Sequence, residues 1–117
     1  MKIKIGDIVS SIEGVKQLQE INFPVKVSYR LMRLVNKLQT ELNSYEEKRI
    51  ALIKKYGDAP DEKGAINVTD PEKIALFRKD IQEIFDLEVD IDFEPIKIDD
   101  AGDVKIPAKL LVNFIFE

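Results

Sequence analysis

Twenty-four residues, Asp80 to Asp103, carry ten acids and one base, Lys97. Six of these acids, Asp90, Asp92, Glu94, Asp99, Asp100 and Asp103, crowd into its last fourteen residues. Clustered carboxylates are the donor set that Ca²⁺ and Mg²⁺ require. The EF-hand order of acids, glycine and a distant Glu is absent, so no metal and no cofactor is expected. Acids at this density can also imitate a nucleic-acid backbone and block a basic groove on an enzyme, through steering and charge matching. The simplest role for them is neutralisation of a basic block elsewhere in the fold.

That basic block lies earlier. Lys26, Arg30, Arg33 and Lys37 are spaced to share one stripe of a helix, as a row of phosphate contacts would need. The stripe flanks an apolar one, where long basic side chains cover carbon surface with their stems. The chain is acidic, with net charge −4, and repels nucleic acid at longer range. Nucleic acid is therefore not expected as a partner. Lys2 and Lys4 are expected to face Asp90 and Asp92 as cross-strand ion pairs.

Catalytic chemistry finds few residues to use. The chain contains no His and no Cys, which removes the commonest general base near neutral pH and the thiolate nucleophile. No Gly-x-Ser-x-Gly turn surrounds any serine, and the glycines form no phosphate-binding loop. Paired carboxylates could hydrolyse glycosides, but so small a domain leaves little room for a substrate cleft. An enzyme, or a small-molecule substrate, is not expected.

The elements that would position these charges are strongly marked. Apolar residues at Val27, Leu31, Leu34, Leu38, Leu42, Tyr45, Leu52 and Tyr56 step by three and four, with Arg49 at the one missing step. They predict a helix over 23–56, about 50 Å long. Asn22 is its expected N-cap, Pro24 its first-turn residue, and Gly57 its C′ residue. Thr69-Asp70-Pro71-Glu72 opens a return helix over 71–87, with Ile74, Phe77, Ile81, Ile84 and Phe85 as its stripe. That helix covers only the half of its partner from Leu38 to Tyr56. Between them, residues 57–70 form a polar tip.

The chain ends must bury the rest. Lys2 to Ile5 alternates like a strand, and Gly6-Asp7 opens a helix with Ile8, Val9, Ile12, Val15 and Leu18 inward. Gly14 weakens that helix by about 1 kcal/mol relative to Ala. Val89 to Phe93 alternates as a half-buried strand that Pro95 either stops or marks as a sheet edge. Continuation through Ile96 and Ile98 is the alternative, before a turn at Asp99-Asp100-Ala101-Gly102. Pro107 is expected to start a last helix ending near Phe116, with a strand at Leu110-Leu111-Val112 as the alternative. If helical, this run is apolar on every side. Leu110, Leu111, Phe114 and Phe116 are then candidates for contact with another protein.

At 117 residues and 44% hydrophobic content, a single domain with a modest core is expected. The absence of cysteine fits an intracellular setting, no signal peptide is apparent, and no apolar run approaches the roughly 20 residues of a membrane span.

Three segments, Met1-Lys2-Ile3-Lys4-Ile5-Gly6-Asp7-Ile8, Leu52-Ile53-Lys54-Lys55-Tyr56-Gly57 and Glu88-Val89-Asp90-Ile91-Asp92-Phe93-Glu94-Pro95-Ile96, resemble in this order a family of small uncharacterised proteins. Its members are encoded by tailed phages and prophages of Gram-positive bacteria. The resemblance covers most of the chain, rests on structural motifs and transfers no functional residue. It implies a phage product of the bacterial host cytoplasm or the virion.

The expected fold is thus α+β, mainly helical. A long antiparallel helical hairpin over 24–87, with coiled-coil character, stands on a base of short strands and helices from 1–23 and 88–117. The expected function is protein–protein interaction, as a virion structural or assembly component that self-associates. The alternative is a host-directed regulator or anti-defence inhibitor docking on a host enzyme, for which the acidic 80–103 surface is available.

Overall fold

The computed structural model describes residues 1–110 and 114–117. Its elements are β1 (Lys2–Lys4), α1 (Ile5–Leu18), α2 (Val25–Tyr56), α3 (Pro71–Phe85) and β2 (Glu88–Asp90), followed by 3₁₀ turns at Ile98–Ala101 and Ala108–Leu110. This is a mainly helical α+β fold. Tyr56 meets Asp80 and Tyr45 meets Phe85, so α3 runs antiparallel to α2.

The shape follows from unequal helix lengths. The molecule measures 53 × 29 × 22 Å with a radius of gyration of 17.8 Å. A compact chain of this length would have a radius of about 13 Å. The excess is an arm, the distal half of α2 with α3, extending from a base.

The base holds nearly all of the buried core. From α1 it takes Ile5, Ile8, Ile12, Val15 and Leu18, the face that the three-and-four spacing specifies. The first half of α2 supplies Val27, Leu31, Leu34, Val35 and Leu38, and the chain ends supply Ile3, Ile91, Ile96, Ala101, Leu110 and Ile115. Val9 is half-buried at the edge of this cluster.

Three helix ends differ from expectation. α2 begins at Val25, and its N-cap is Pro24 rather than Asn22. A proline disfavours helical backbone in the residue before it, so Phe23 stays outside the helix and turns into the core. The Pro24 carbonyl instead accepts from Val27 and Ser28 N–H, both at 3.0 Å. At the other end Gly57 is extended, φ −78° and ψ 162°, not left-handed. A Cβ there would stand 2.2 Å from Ile66 Cγ2 and 2.4 Å from the Ile53 carbonyl. Glycine is therefore needed for close approach, not for positive φ. α3 starts as expected: the Asp70 carboxylate accepts from Glu72 N–H at 2.9 Å and Lys73 N–H at 3.3 Å. It ends at Phe85, two residues early.

β1 and β2 pair antiparallel with Lys2 opposite Asp90, Ile3 opposite Val89 and Lys4 opposite Glu88. Ile3 enters the core and the lysines stay in solvent, as period-two alternation requires. β2 is shorter than the expected strand to Phe93. The Phe93 N–H turns back to the Ile91 carbonyl at 2.9 Å, a tight turn that leaves the ladder. Ile98 does not extend it either, since it sits exposed in a 3₁₀ turn. Gly102, at φ 75°, closes that turn in a conformation glycine adopts freely.

The expected helix from Pro107 to Phe116 is replaced, over its described residues, by a 3₁₀ turn at Ala108–Leu110 and a bridge. Ile96 pairs in parallel with Phe116. Its N–H donates to Ile115 O at 2.6 Å, and its carbonyl accepts from Glu117 N–H at 2.9 Å. Ile96 and Ile115 are both fully buried. Phe114 and Ile115 form a turn that leads into this bridge. Leu111 and Val112 lie outside the described residues.

Candidate interaction surfaces

The acidic run from Asp80 onward meets the basic flank of α2 at Arg30 and Lys37, chiefly through backbone carbonyls. Asp80 accepts from the Tyr56 hydroxyl at 2.7 Å. Asp90 pairs with the N-terminal ammonium at 3.1 Å. Lys37 Nζ donates to the Asp92 carbonyl at 2.6 Å and lies 3.8 Å from its carboxylate. Arg30 donates to the Glu94 carbonyl and stacks 5.5 Å from the centre of the Phe93 ring. Two of the four residues of the basic stripe thus hold the segment after β2 against α2. Lys2 stands opposite Asp90, but Lys4 stands opposite Glu88, not Asp92. The strand turns away before Asp92 could face a lysine.

The remaining acids disperse. Asp99 and Asp100 lie exposed in the 3₁₀ turn and Asp103 is exposed after it. Among the described residues, no group of three or more acidic side chains could hold a metal ion. Arg30, Arg33, Lys37 and Lys97 share an open groove of about 480 Å³ with Asp92, Glu94 and Asp100. Both charge signs line it, so it favours neither an anion nor a cation. No helix among the described residues is long and apolar enough to cross a membrane.

The terminal residues expected to make protein contacts divide. Leu110 is buried in the core, while Phe114 and Phe116 are half-buried against it. The Phe116 ring packs 6.3 Å from that of Phe23. Leu111 lies outside the described residues.

The apolar surface that the sequence analysis did not anticipate is on the arm. α3 has no fully buried residue: Ile74, Phe77, Ile81, Ile84 and Phe85, spaced along one face, are all half-buried, and Phe85 meets Tyr45 of α2. Tyr45 and Leu52 are the buried residues opposite them. Arg49, at the gap in the α2 stripe, folds back to bond Glu46 at 3.1 and 2.9 Å. Beside this seam lies a groove in two parts that share Lys48, Ile84 and Leu87. Its proximal part, about 380 Å³, is lined by Glu41, Tyr45, Lys48, Ile84, Leu87, Glu88 and Val89 among others. Its distal part, about 320 Å³, is lined by Lys48, Leu52, Lys55, Asp80, Glu83, Ile84 and Leu87. Leu87 is 59% exposed on its edge. Burial raises the Tyr45 hydroxyl pKa above its ordinary value near 10.0, with Arg49 opposing that shift and Glu46 adding to it.

A signal for this surface exists in the sequence. Two helices alone cannot enclose an apolar seam on both sides, and no third segment of matching length is present to cover the distal half. Compared with models of protein families, with curated proteins and with solved structures, the chain matches none.

Proposed function

We propose that this protein works without catalysis, through protein–protein contact made by its arm, as a self-associating structural or assembly component of a phage particle. The observation that carries this reading is α3: a helix with five apolar residues on one face and none fully buried. In water such a face favours a further partner, because apolar area left exposed is stabilised by burial at roughly 25 cal/mol per Å². The phage setting rests on the resemblance of the opening residues, the end of α2 and the β2 segment.

The acidic surface supports a host-directed inhibitor less well. Asp80 accepts from Tyr56, while Asp90 and Asp92 stay exposed with ion-pair contacts inside the chain, and among the described residues the run makes no close group of three or more acids. Sedimentation of the intact protein over a wide concentration range tests the proposal, with mass spectrometry of purified virions as its biological counterpart. An oligomer in solution and the chain in the particle are the expected results. A protein that stays monomeric and is absent from virions would transfer the role to a host-directed binder.

A further inference from the structure

We propose that the arm groove is occupied by the arm of a second copy, forming a two-fold dimer in which each α2 lies over the partner's α3. This rests on the self-association reading above and names its geometry. The distal part of the groove has an apolar floor, including Leu52, Ile84 and Leu87, between walls of opposite sign. The proximal part sets Glu41 beside Lys48 on α2 and carries Glu88 as well, so the alternation of sign belongs to the distal part. α2 contributes Lys48 and Lys55, one heptad apart on the same side of the helix, and α3 contributes Asp80 and Glu83. All four line the same stretch of groove, so the basic and acidic pairs overlap along the arm.

That pattern is self-complementary under one symmetry operation. A two-fold axis parallel to the arm stacks groove on groove and crosses the walls, bringing each α2 over the α3 of the other copy at an unchanged level. Lys48 and Lys55 then face Asp80 and Glu83 of the second copy, twice over, with Ile84 and Leu87 meeting at the centre. An axis across the arm instead stacks α2 on α2 and sets lysine against lysine, which like-charge repulsion opposes. An isologous interface needs a patch that complements itself, and the alternation of sign across the distal part of the groove supplies it. The four helices form a bundle, the usual way for paired helices to close an open seam.

Area sets the strength. The distal arm spans about 22 Å along two helices spaced roughly 9 Å apart, or about 400 Å² per copy. This is below the roughly 800 Å² per partner of standard stable interfaces. The dimer is accordingly a weak, reversible one.

Charge exchange between copies tests it. The intact protein is sedimented from about 1 µM to about 1 mM, with circular dichroism confirming that each variant is folded. Lys48→Glu alone and Glu83→Lys alone each set like charges across both halves of the interface, and each should weaken dimerisation at least tenfold. An equimolar mixture of the two variants restores opposite charges at both contacts and should recover a mixed dimer. Restoration by mixing cannot arise from an ion pair inside one chain. If the wild-type protein associates but the reversals leave it unchanged, or the mixture stays dissociated, this interface is wrong while self-association stands. A wild-type monomer at every concentration overturns both.

Discussion

Tyr45 of α2 meets Phe85 of α3 edge to face, ring centres 5.5 Å apart and planes at 78°. This contact sits where the arm joins the base. Aromatic pairs in this geometry gain about 0.5–1.5 kcal/mol beyond their area burial. Phe85→Ala also leaves a gap beside Gly6, whose backbone lies against the Phe85 ring. Because Phe85 is half-buried, the expected cost is about 2–3 kcal/mol, below the full range for a core phenylalanine. Hydrogen exchange should quicken along α3 while amides of α1 keep their protection. Uniform acceleration across both helices would show the arm and base to unfold as one unit.

The same tyrosine gives the fold an alkaline limit. Burial raises the Tyr45 pKa above 10.0, so the folded state holds its proton more tightly than the unfolded chain does. Where the unfolded chain binds fewer protons, stability falls as pH rises. The contribution is therefore complete below pH 10 and is lost as pH climbs through the raised folded value. Denaturation midpoints of wild type and Tyr45→Phe, measured from pH 8 to 11, should diverge: the variant loses less stability above pH 10. Parallel curves would remove Tyr45 as the cause.

Much of this architecture was legible because helices declare themselves by spacing. The stripe of α2, the Asp70-Pro71 start of α3 and the inward face of α1 are local patterns, and local patterns survive folding. What was not legible depended on contacts between distant residues. Nothing near Ile96 announces that it will pair with Phe116, and that pairing goes with a 3₁₀ turn, a turn and a bridge over the described residues where a helix is expected. Gly57 has the right identity at a helix end for a different reason, since only its tertiary neighbour Ile66 shows that a Cβ would collide. The half-exposed α3 face was missed because amphipathic periodicity reports which side is apolar, not how fully that side is covered.

Gly57→Ala should destabilise by about 1–3 kcal/mol, the usual penalty for forcing a group into filled space. The φ of −78° suits alanine, so the cost is steric. Adding Ile66→Ala removes one of the two colliding groups, and the pair should be less than additive in a double-mutant cycle. Gly64 provides the contrast: it has φ 79° and nothing within 4 Å of a built Cβ. Its replacement by Ala costs about 1 kcal/mol through backbone strain alone, and Ile66→Ala should not relieve it.

The tip is expected to be dispensable. Its order is local, with the Asp61 carboxylate accepting from Lys63 and Ala65 N–H at 2.8 and 2.9 Å. Residues 58–64 are otherwise exposed. Replacing residues 59–64 with a Gly/Ser turn, while keeping Asp58 and Ile66, should shift the thermal midpoint by only a few degrees. A broadened, non-cooperative transition would show that the tip holds the two helices in register.

The difference in packing between base and arm can be measured with three substitutions at low protein concentration. Leu34 is fully buried in the base, and Leu34→Ala should cost about 2–5 kcal/mol through the lost contacts and the cavity left behind. Ile81 occupies the equivalent inward position of α3 but is only half-buried. Its side chain can release less apolar area to water and leaves a site that solvent can enter, so Ile81→Ala should cost about 1–2 kcal/mol. Glu83 is exposed, and Glu83→Ala should stay within about 0.5 kcal/mol. Raising the protein concentration should widen the gap between Ile81→Ala and wild type, because burial of the arm in a dimer adds stability only as association proceeds. Equal costs at Leu34 and Ile81 at every concentration would mean that the arm is as fully packed as the base, and that its apolar face needs no partner.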